Sequence, residues 1–202
     1  MGAKLLRIAD VETIRNLELN SSSAIWRARQ YFLFMFNNMG INFIDLVKLK
    51  KNQIARAEYE VNGKLISGRI TFDRTKTKNA FSIKLTSESM EILNDFNIAE
   101  KLQDDFVFPF GYEESQKGRE RYKQQRKRVN RKLREIAKLS SISEEITTYY
   151  ARHSWATIAK RKMIPVTMIS EALGHADLKT TQIYLDSFDN EDLDAANENI
   201  VG

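Results

Sequence analysis

The chain has 202 residues and a formal net charge of +5. This length is enough for one substantial core, and 42% apolar with 29% charged residues argue against a disordered protein. The absence of cysteine excludes disulfides, thiolate catalysis and cysteine-ligated zinc, and fits a reducing cytoplasm. No apolar run approaches the ~20 residues that a membrane span needs. We therefore expect a cytoplasmic protein with no membrane partner.

The positive charge is concentrated in one segment. Residues 119–134 are densely basic, whereas the segment after Tyr184 contains acids and no base. A basic helix face favours a polyanionic partner, and an ordinary solvated helix face explains the same run equally well.

The first half of the chain predicts two helices. Two prolines and eight glycines leave few helix breakers. Ser21 to Ser23 are typical N-cap residues for the segment AIWRARQYFLFMFNN, which ends before Gly40. NFIDLVKLKKNQI then predicts a second, short helix with Lys48, Lys50 and Lys51 facing outward.

Three β-like runs follow, at Arg56 to Val61, Leu65 to Phe72 and Ala80 to Leu85. Asn62-Gly63 is a strong hairpin signal between the first two runs, and TKTKN is a polar turn between the second and third. The pattern predicts a three-stranded antiparallel meander.

The second half is helical again. The predicted helices are SESMEILNDFN, residues 116–139, YYARHSWATIAKRK after a Thr147-Thr148 cap, VTMISEALG from Pro165 to Gly174, LKTTQIYLDSF, and a polar acidic C-terminal helix. We expect a mainly α fold with a small three-stranded antiparallel β-sheet, one domain over residues 1–202 and an acidic tail over 187–202.

The two histidines lie in distinctive strings. His153 belongs to ARHSWAT and His175 to LGHADLKTTQIY. These strings resemble the C-terminal signature of the tyrosine recombinase, or phage-type integrase, family. MGINFIDLVKL is similar to the first active-site box of that family, with Asp45 as its acidic residue, and RTKTKNAFSIKL to the hairpin that delivers its catalytic lysine. The resemblance extends from about Ile25 to Asp186.

The resemblance implies a catalytic domain that cleaves and rejoins DNA strands. Tyr184 would be the nucleophile that forms a 3′-phosphotyrosyl link, and the planar Arg152 guanidinium would hold two phosphate oxygens. His175 would donate a hydrogen bond to a non-bridging oxygen, or merely cap the turn after Gly174. Lys76 would protonate the leaving 5′ oxygen, a task that Lys78 could also perform. No cofactor and no metal are required.

Two positions depart from the family pattern. The arginine expected in the first box is Asn42, and the histidine or lysine expected three residues before Arg152 is Tyr149. Loss of one preorganised phosphate donor typically costs ~10²–10³ in rate. Tyr149 can still hydrogen-bond to a phosphate but is a poor base near neutral pH.

We therefore expect a substitute for the missing arginine. The hypothesis is that Arg29 reaches into the phosphate pocket, with Arg27 as the competing candidate. Arg29 could equally form an ordinary surface ion pair. His153, next to Arg152, is expected to be a buried support residue that orients the site.

The expected partners are double-stranded DNA and other recombinase protomers in a synaptic complex. The predicted phosphate contacts are Lys48, Lys50, Lys51, Lys78, Arg119, Arg121, Lys123, Arg126, Lys127, Arg128 and Arg131. The N-terminal DNA-clamping domain usual in the family has no counterpart here, so we expect a fragment or truncated product that binds DNA weakly. Such a fragment could serve phage or transposon integration.

Other functions remain open at this point. A catalytically impaired DNA-binding domain is made plausible by Asn42 and Tyr149. A topoisomerase-like enzyme would relax DNA by the same chemistry. A basic helical RNA-binding protein explains the charge but not the string LGHADLKTTQIY.

Overall fold

A computed structural model of the chain describes residues 6–56, 60–61, 64–65, 68–75, 77, 80–143, 145–175, 177–184 and 197–198. At residues 56, 60–61, 64–65 and 183–184 only the backbone is described. The predictions for Lys76 and Lys78 and for nearly all of the acidic C-terminal tail therefore lie outside the described residues.

After an additional short N-terminal helix, the described helices follow the predicted ones in order up to the helix that ends at Tyr184, and the predicted acidic C-terminal helix lies almost wholly outside the described residues. The described helices are α1 (Ile8–Arg15), α2 (Ala24–Asn37), α3 (Phe43–Lys48), α4 (Ser87–Asp95), α5 (Gln116–Leu139), α6 (Thr148–Arg161), α7 (Val166–Leu173) and α8 (Leu178–Tyr184). Local capping explains several of these bounds. The Ser23 hydroxyl accepts from the Trp26 amide at the start of α2, and Thr147 caps α6 through the Tyr149 amide.

A small antiparallel sheet interrupts the helices, as the sequence predicts. The strands are β1 (Ile54–Arg56), β2 (Glu60–Val61), β3 (Lys64–Leu65), β4 (Gly68–Asp73) and β5 (Ala80–Lys84). The main sheet has the order β1-β4-β5, so the prediction of three antiparallel strands is confirmed. The first two predicted strands each divide, since Glu60–Val61 from the first and Leu65 from the second belong to the separate β2-β3 hairpin. The Val61↔Lys64 register of this hairpin leaves two residues between its strands.

The core forms around α2, which contacts α1, α3, α4, α5 and α6. Every residue of this helix from Gln30 to Phe36 is buried. Tyr31 and Phe34 pack their rings against Phe108, and Tyr31 also contacts Phe96 and Phe110. A helix surrounded by neighbours on all sides loses the amphipathic contrast of a surface helix, and α2 is the buried centre of the domain.

The predicted second helix is shorter than its sequence pattern suggests. After Lys48 the chain becomes extended, and its backbone pairs with residues 103–107 through the bonds Lys51 N–Asp105 O and Val107 N–Leu49 O. Lys51 is buried, and its ammonium donates to the carbonyls of Ala99 and Lys101. The expectation that Lys51 faces outward and binds DNA phosphates is therefore wrong, because its charge is already used inside the fold.

Candidate active site

The N-terminal turns of α6 place Arg152 in the interior. Its side chain is only 6% exposed, and Nη1 donates to the Gly40 carbonyl at 3.1 Å while Nη2 donates to the Leu173 carbonyl at 2.5 Å. A Cβ on Gly40 would lie 2.6 Å from the Arg152 Cα, and Gly40 has a φ of +59°. Only glycine allows this approach without strain, so the glycine of the first box is needed to admit the arginine helix.

A second arginine, Arg74, lies at the same place. It follows β4 and is 3% exposed, and its Nη1 donates to the Leu173 carbonyl at 2.8 Å, the same oxygen that Arg152 uses. Its Nη2 donates to the Ala172 carbonyl at 2.5 Å. These carbonyls form the C-terminal end of α7, whose partial negative charge favours cations. One helix end thus holds two guanidinium groups side by side.

Gly174 makes the approach of Arg74 possible. This residue ends α7 in the left-handed conformation, with a φ of +67°, and a Cβ there would lie 2.6 Å from the Arg74 Nε. The Leu-Gly-His turn therefore serves two purposes, since it ends the helix and leaves room for a buried arginine.

His175 joins the arginine pair to α8. Its Nε2 lies 2.9 Å from the Arg152 Nη2, and its Nδ1 lies 2.8 Å from the hydroxyl of the fully buried Thr181. Its own amide donates to the Ser170 carbonyl at 3.0 Å, which is part of the α7 C-terminal turn. The backbone of His175 thus completes the cap of the turn, while its ring faces Arg152. Donation to a phosphate oxygen stays a prediction.

The charges of the site act on one another. Burial lowers the pKa of Arg74 to about 10, helped by the Arg152 cation and opposed by Asp45, so Arg74 remains charged at neutral pH. Burial also lowers the pKa of His175 to about 4, followed by the effects of Arg152 and Arg74. The site is therefore doubly cationic with a neutral imidazole, which suits a bound anion.

Thr181 fixes the backbone position of the predicted nucleophile. Tyr184 follows Thr181 by three residues on α8, so both lie on the same side of that helix. The backbone of α8 thereby brings Tyr184 to within one helical turn of the His175 contact. The side chain of Tyr184 lies outside the described residues.

A cleft of about 200 Å³ opens beside these groups, and Arg74, Arg152, His175, Asn42 and Tyr149 all contribute to its lining. Arg152 and His175 were predicted as catalytic residues, and Asn42 and Tyr149 are the positions that depart from the family pattern. Arg74 was not predicted as a site residue. The signal available for Arg74 was its place in RTKTKN, two residues before Lys76 on the same hairpin.

Asp45 ties the first box to this hairpin. Its buried carboxylate accepts from the Thr75 amide at 2.9 Å, and the Asn42 side-chain amide approaches it at 3.5 Å. Thr75 directly follows Arg74, so the acidic residue of the box holds the backbone next to this arginine.

The structure does not bring Arg29 or Arg27 to the cleft. Arg29 donates to the carbonyls of Arg15 and Leu17, and Arg27 donates to the Ser22 carbonyl at 2.9 Å. The hypothesis that Arg29 replaces the missing arginine is therefore wrong in placement, because this guanidinium stabilises the connection between α1 and α2 instead. Arg27 also serves the start of α2.

His153 supports the cleft less directly than expected. It is half-buried rather than buried, and its ring meets the Tyr149 ring edge-on at 4.3 Å between centroids. Burial, and then Arg152, lower the pKa of His153. Tyr149 itself is 45% exposed at the mouth of the site.

The basic segment forms one long helix, α5, with the predicted bounds. Val129, Leu133 and Ile136 pack into the core. All seven cations predicted there are exposed, namely Arg119, Arg121, Lys123, Arg126, Lys127, Arg128 and Arg131. Arg126 also lines a second, adjoining cleft of about 470 Å³ together with Asn42, Tyr149 and Arg152.

The other predicted phosphate contacts differ among themselves. Lys48 is half-buried and pairs with Glu114, over the Tyr112 ring. Lys50 is 40% exposed, 3.7 Å from an Asp104 oxygen. Both lysines therefore already have anionic neighbours.

Within the described part of the chain, no group of histidine and acidic residues could hold a metal ion. None of the helices described there is long and apolar enough to cross a membrane.

The fold is similar to those of solved recombinases. The XerH site-specific recombinase, solved in a pre-cleavage complex with its difH substrate, superposes with a TM-score of 0.62 at 23% identity, over 96% of this chain and 53% of that one. The XerA recombinase superposes with a TM-score of 0.64 at 17% identity, over 97% of this chain and 63% of that one. The shared architecture is thus that of the larger part of each of these recombinase chains.

Proteins of similar sequence are also tyrosine recombinases. A tyrosine recombinase of Thermosipho africanus is 40% identical over 67 residues, which are 33% of this chain and 24% of the relative. The tyrosine recombinase XerD of Listeria monocytogenes is 46% identical over 52 residues, 26% of this chain and 18% of the relative. These matches span less than a third of each relative. The model of the phage integrase family matches residues 6–191, nearly the whole sequence, and the chain belongs to this family.

Proposed function

We propose that the chain is the catalytic domain of a site-specific DNA recombinase that cleaves and rejoins strands through Tyr184. The observation that supports this most is the connected series Arg152–His175–Thr181, joined by contacts of 2.9 and 2.8 Å. It links the buried phosphate-binding arginine to the helix that bears the tyrosine. The arrangement suits attack on a phosphodiester bound between α6 and α8.

The proposed reaction conserves the energy of the phosphodiester. The Tyr184 phenol gives up its proton to solvent water, and its oxygen bonds to the scissile phosphorus while the bond from phosphorus to the 5′ oxygen breaks. Lys76 supplies the proton for that leaving oxygen. A 5′ hydroxyl, from the same or a partner strand, reverses the step. Because the covalent intermediate retains a phosphodiester, the reaction needs neither a nucleotide cofactor nor a metal.

In this proposal Arg74 supplies the guanidinium that the missing arginine of the first box would have provided. It lines the same cleft as Asn42, and its guanidinium shares the Leu173 carbonyl with Arg152. The side-chain amide of Asn42 is uncharged, so the second positive charge comes from the neighbouring hairpin. Two rigid guanidinium groups can together neutralise the charge that develops on the non-bridging oxygens.

The proposed partners are double-stranded DNA and further copies of a recombinase. The exposed cations of α5 would contact phosphates beside the cleft, and the similar XerH structure was solved bound to its difH substrate. Since the chain spans about half of that recombinase, we expect the tightest DNA binding only where additional protein surface encloses the duplex.

A nicked suicide duplex tests the proposal. After cleavage, the short fragment between the cleavage site and the nick, which carries the free 5′ hydroxyl, diffuses away. The tyrosine-linked adduct therefore accumulates and can be quantified on a denaturing gel. We expect an adduct with the wild type and none with Tyr184→Phe, while Tyr112→Phe, a tyrosine outside the cleft, behaves as wild type. DNA binding without any adduct would support the catalytically impaired DNA-binding domain instead. Relaxation of supercoiled DNA without strand exchange would support the topoisomerase-like alternative.

A further inference from the structure

The larger of the two clefts extends the active site toward α5. The clefts of about 470 and 200 Å³ share three lining residues, Asn42, Tyr149 and Arg152. Arg152, which holds the scissile phosphate in the proposed function, therefore lies in the wall between them. A group bound in the larger cleft is thus the direct neighbour of a phosphodiester bound in the smaller one.

The wall that α5 contributes to the larger cleft consists of hydrogen-bond donors. Tyr122, Arg126 and Asn130 line this cleft and follow one another at intervals of four residues, so they form one row along the helix. The Arg126 guanidinium lies over the Tyr122 ring, 5.7 Å from its centroid. Burial raises the pKa of Tyr122, and Arg126 opposes this only in part, so the phenol keeps its proton at neutral pH. The row therefore presents a phenol, a guanidinium and an amide to the same space.

The contact with α6 fixes which end of the Asn130 amide is available. Its Oδ1 accepts from the Thr148 amide at 2.9 Å. A backbone N–H can only donate, so the side-chain atom that meets it must be the oxygen. The NH₂ group is then the end of Asn130 that can donate to a ligand in the cleft.

The charge and the walls of the larger cleft fit a nucleotide phosphate. Arg126 and Arg152 are the charged residues among the described ones that line it, and none of those is acidic. On the α3 side the lining is apolar, with Ile41, Phe43 and Ile44. A DNA phosphate has anionic oxygens for the donor wall, and its deoxyribose has carbon atoms for the apolar wall. One unit of a DNA strand therefore matches both walls at once.

We propose that the larger cleft binds the phosphodiester next to the scissile one and that Arg126 and Asn130 donate to its oxygens. The proposal deepens the proposed function and rests on it. Consecutive phosphates of one duplex strand advance by about 3.4 Å along the helix axis, so two adjoining clefts can hold neighbouring phosphates. Two phosphates held on either side of Arg152 fix the direction of the strand as well as its position.

A small probe tests the paired clefts without cleavage and without a target sequence. Thymidine 3′,5′-bisphosphate has two phosphates separated by one nucleoside, whereas thymidine 5′-monophosphate has one. We expect wild-type protein to bind the bisphosphate about tenfold more tightly, because hydrogen bonds to a charged group are strong. Arg126→Gln should lose this advantage, and Arg128→Gln, which removes an exposed arginine from another side of α5, should keep it.

Calorimetric titration measures both affinities for each variant. An equal advantage in Arg126→Gln and Arg128→Gln, or no advantage in the wild type, overturns the proposal. The measurement does not depend on cleavage. A wild type that forms no tyrosine-linked adduct therefore ends the proposed function, whereas the titration still decides on the second phosphate.

Asn130→Asp separates ligand binding from folding. The aspartate keeps an oxygen for the Thr148 amide, so its thermal unfolding should stay close to that of wild type. It also replaces an NH₂ donor by a negative charge, so the affinity for the bisphosphate should fall at least tenfold. Asn130→Ala, which loses the contact with Thr148, should unfold at a lower temperature. Full affinity in Asn130→Asp contradicts the proposal.

Neutral methylphosphonate linkages locate the second phosphate on a duplex that the wild type cleaves. At one of the two positions that flank the scissile phosphate, this change should weaken wild-type binding by about tenfold. It should have little further effect on Arg126→Gln, since the contact is already lost, and its full effect on Arg128→Gln. Equal sensitivity of the two variants overturns the proposal. So does a difference between them that an abasic site abolishes and the methylphosphonate does not, because the cleft would then hold a base.

Discussion

The two halves of the site differ in how they are built. From Thr147 to Tyr184, consecutive helices present Arg152, His175 and the backbone of Tyr184 in the order of the sequence signature, and short turns fix their relation. The other half, from α3 and the β4-β5 hairpin, is assembled from distant segments. In this half the guanidinium belongs to Arg74, which donates to the carbonyl of Leu173, 99 residues later in the chain. The comparison teaches that two distant elements can line one cleft, so that Arg74 stands beside Asn42 although the two belong to different segments.

The largest expected effect is the loss of DNA cleavage when the Arg74 guanidinium is removed. Arg74→Ala should reduce adduct formation by ~10²–10³, about 3–4 kcal/mol of transition-state stabilisation, because one of two phosphate-binding cations is lost. Arg29→Ala and Arg69→Ala, the latter an exposed arginine on β4, serve as controls and should retain near wild-type rates. A strong defect in Arg29→Ala together with an active Arg74→Ala would reverse the assignment.

The next effect is on the salt dependence of DNA binding by the face of α5 that lies beside the cleft. Arg119, Lys123 and Arg126 are spaced by four and three residues, so they share the side of the helix that lines the cleft next to Arg152. Their combined change to glutamine should lower the slope of log affinity against log salt by about 3. Arg121 and Arg128 lie on another side, and their double change should leave the slope nearly unaltered in the same titration. Equal slopes for the two variants would exclude a preferred face.

A smaller effect is expected at the turn that both halves share. Gly174→Ala forces a left-handed residue with a Cβ, which costs about 1–2 kcal/mol, and pushes against Arg74. Thermal unfolding should show the loss, and adduct formation should fall with it. Gly111→Ala is a useful comparison, since Gly111 has a similar φ of +62° but an open environment. If Gly174→Ala forms the adduct more slowly than Gly111→Ala at equal thermal stability, then the turn positions Arg74 as well as ending the helix.

The smallest effect is a dependence of stability on pH. His175 stays neutral in the folded chain down to about pH 4, whereas in the unfolded chain it takes up a proton near its ordinary value of 6.5. Between these values the unfolded state binds more protons, so stability falls as the pH drops from about 7 toward 4. His153 has a lowered pKa and contributes in the same direction. Melting curves at pH 7 and pH 5 should show a smaller drop for His175→Gln than for wild type, and equal drops would contradict this account.

The sequence by itself determined most of the helices and the C-terminal signature. Caps such as Ser23 and Thr147, the left-handed Gly174 and the regular apolar spacing of α5 are local properties, which act between residues a few positions apart. For the same reason the association of Arg152 with His175 followed from the motif, since both belong to one run of short helices.

Tertiary structure decided where the remaining charges act. Lys51 has the same sequence pattern as an exposed lysine, yet packing against residues 99–101 buries it. Arg29 and Arg74 could not be ranked from the sequence, because the choice depended on which of them meets the C-terminal carbonyls of α7. Burial of a charge is favourable only where distant backbone groups supply the acceptors, and that information exists only in the folded chain.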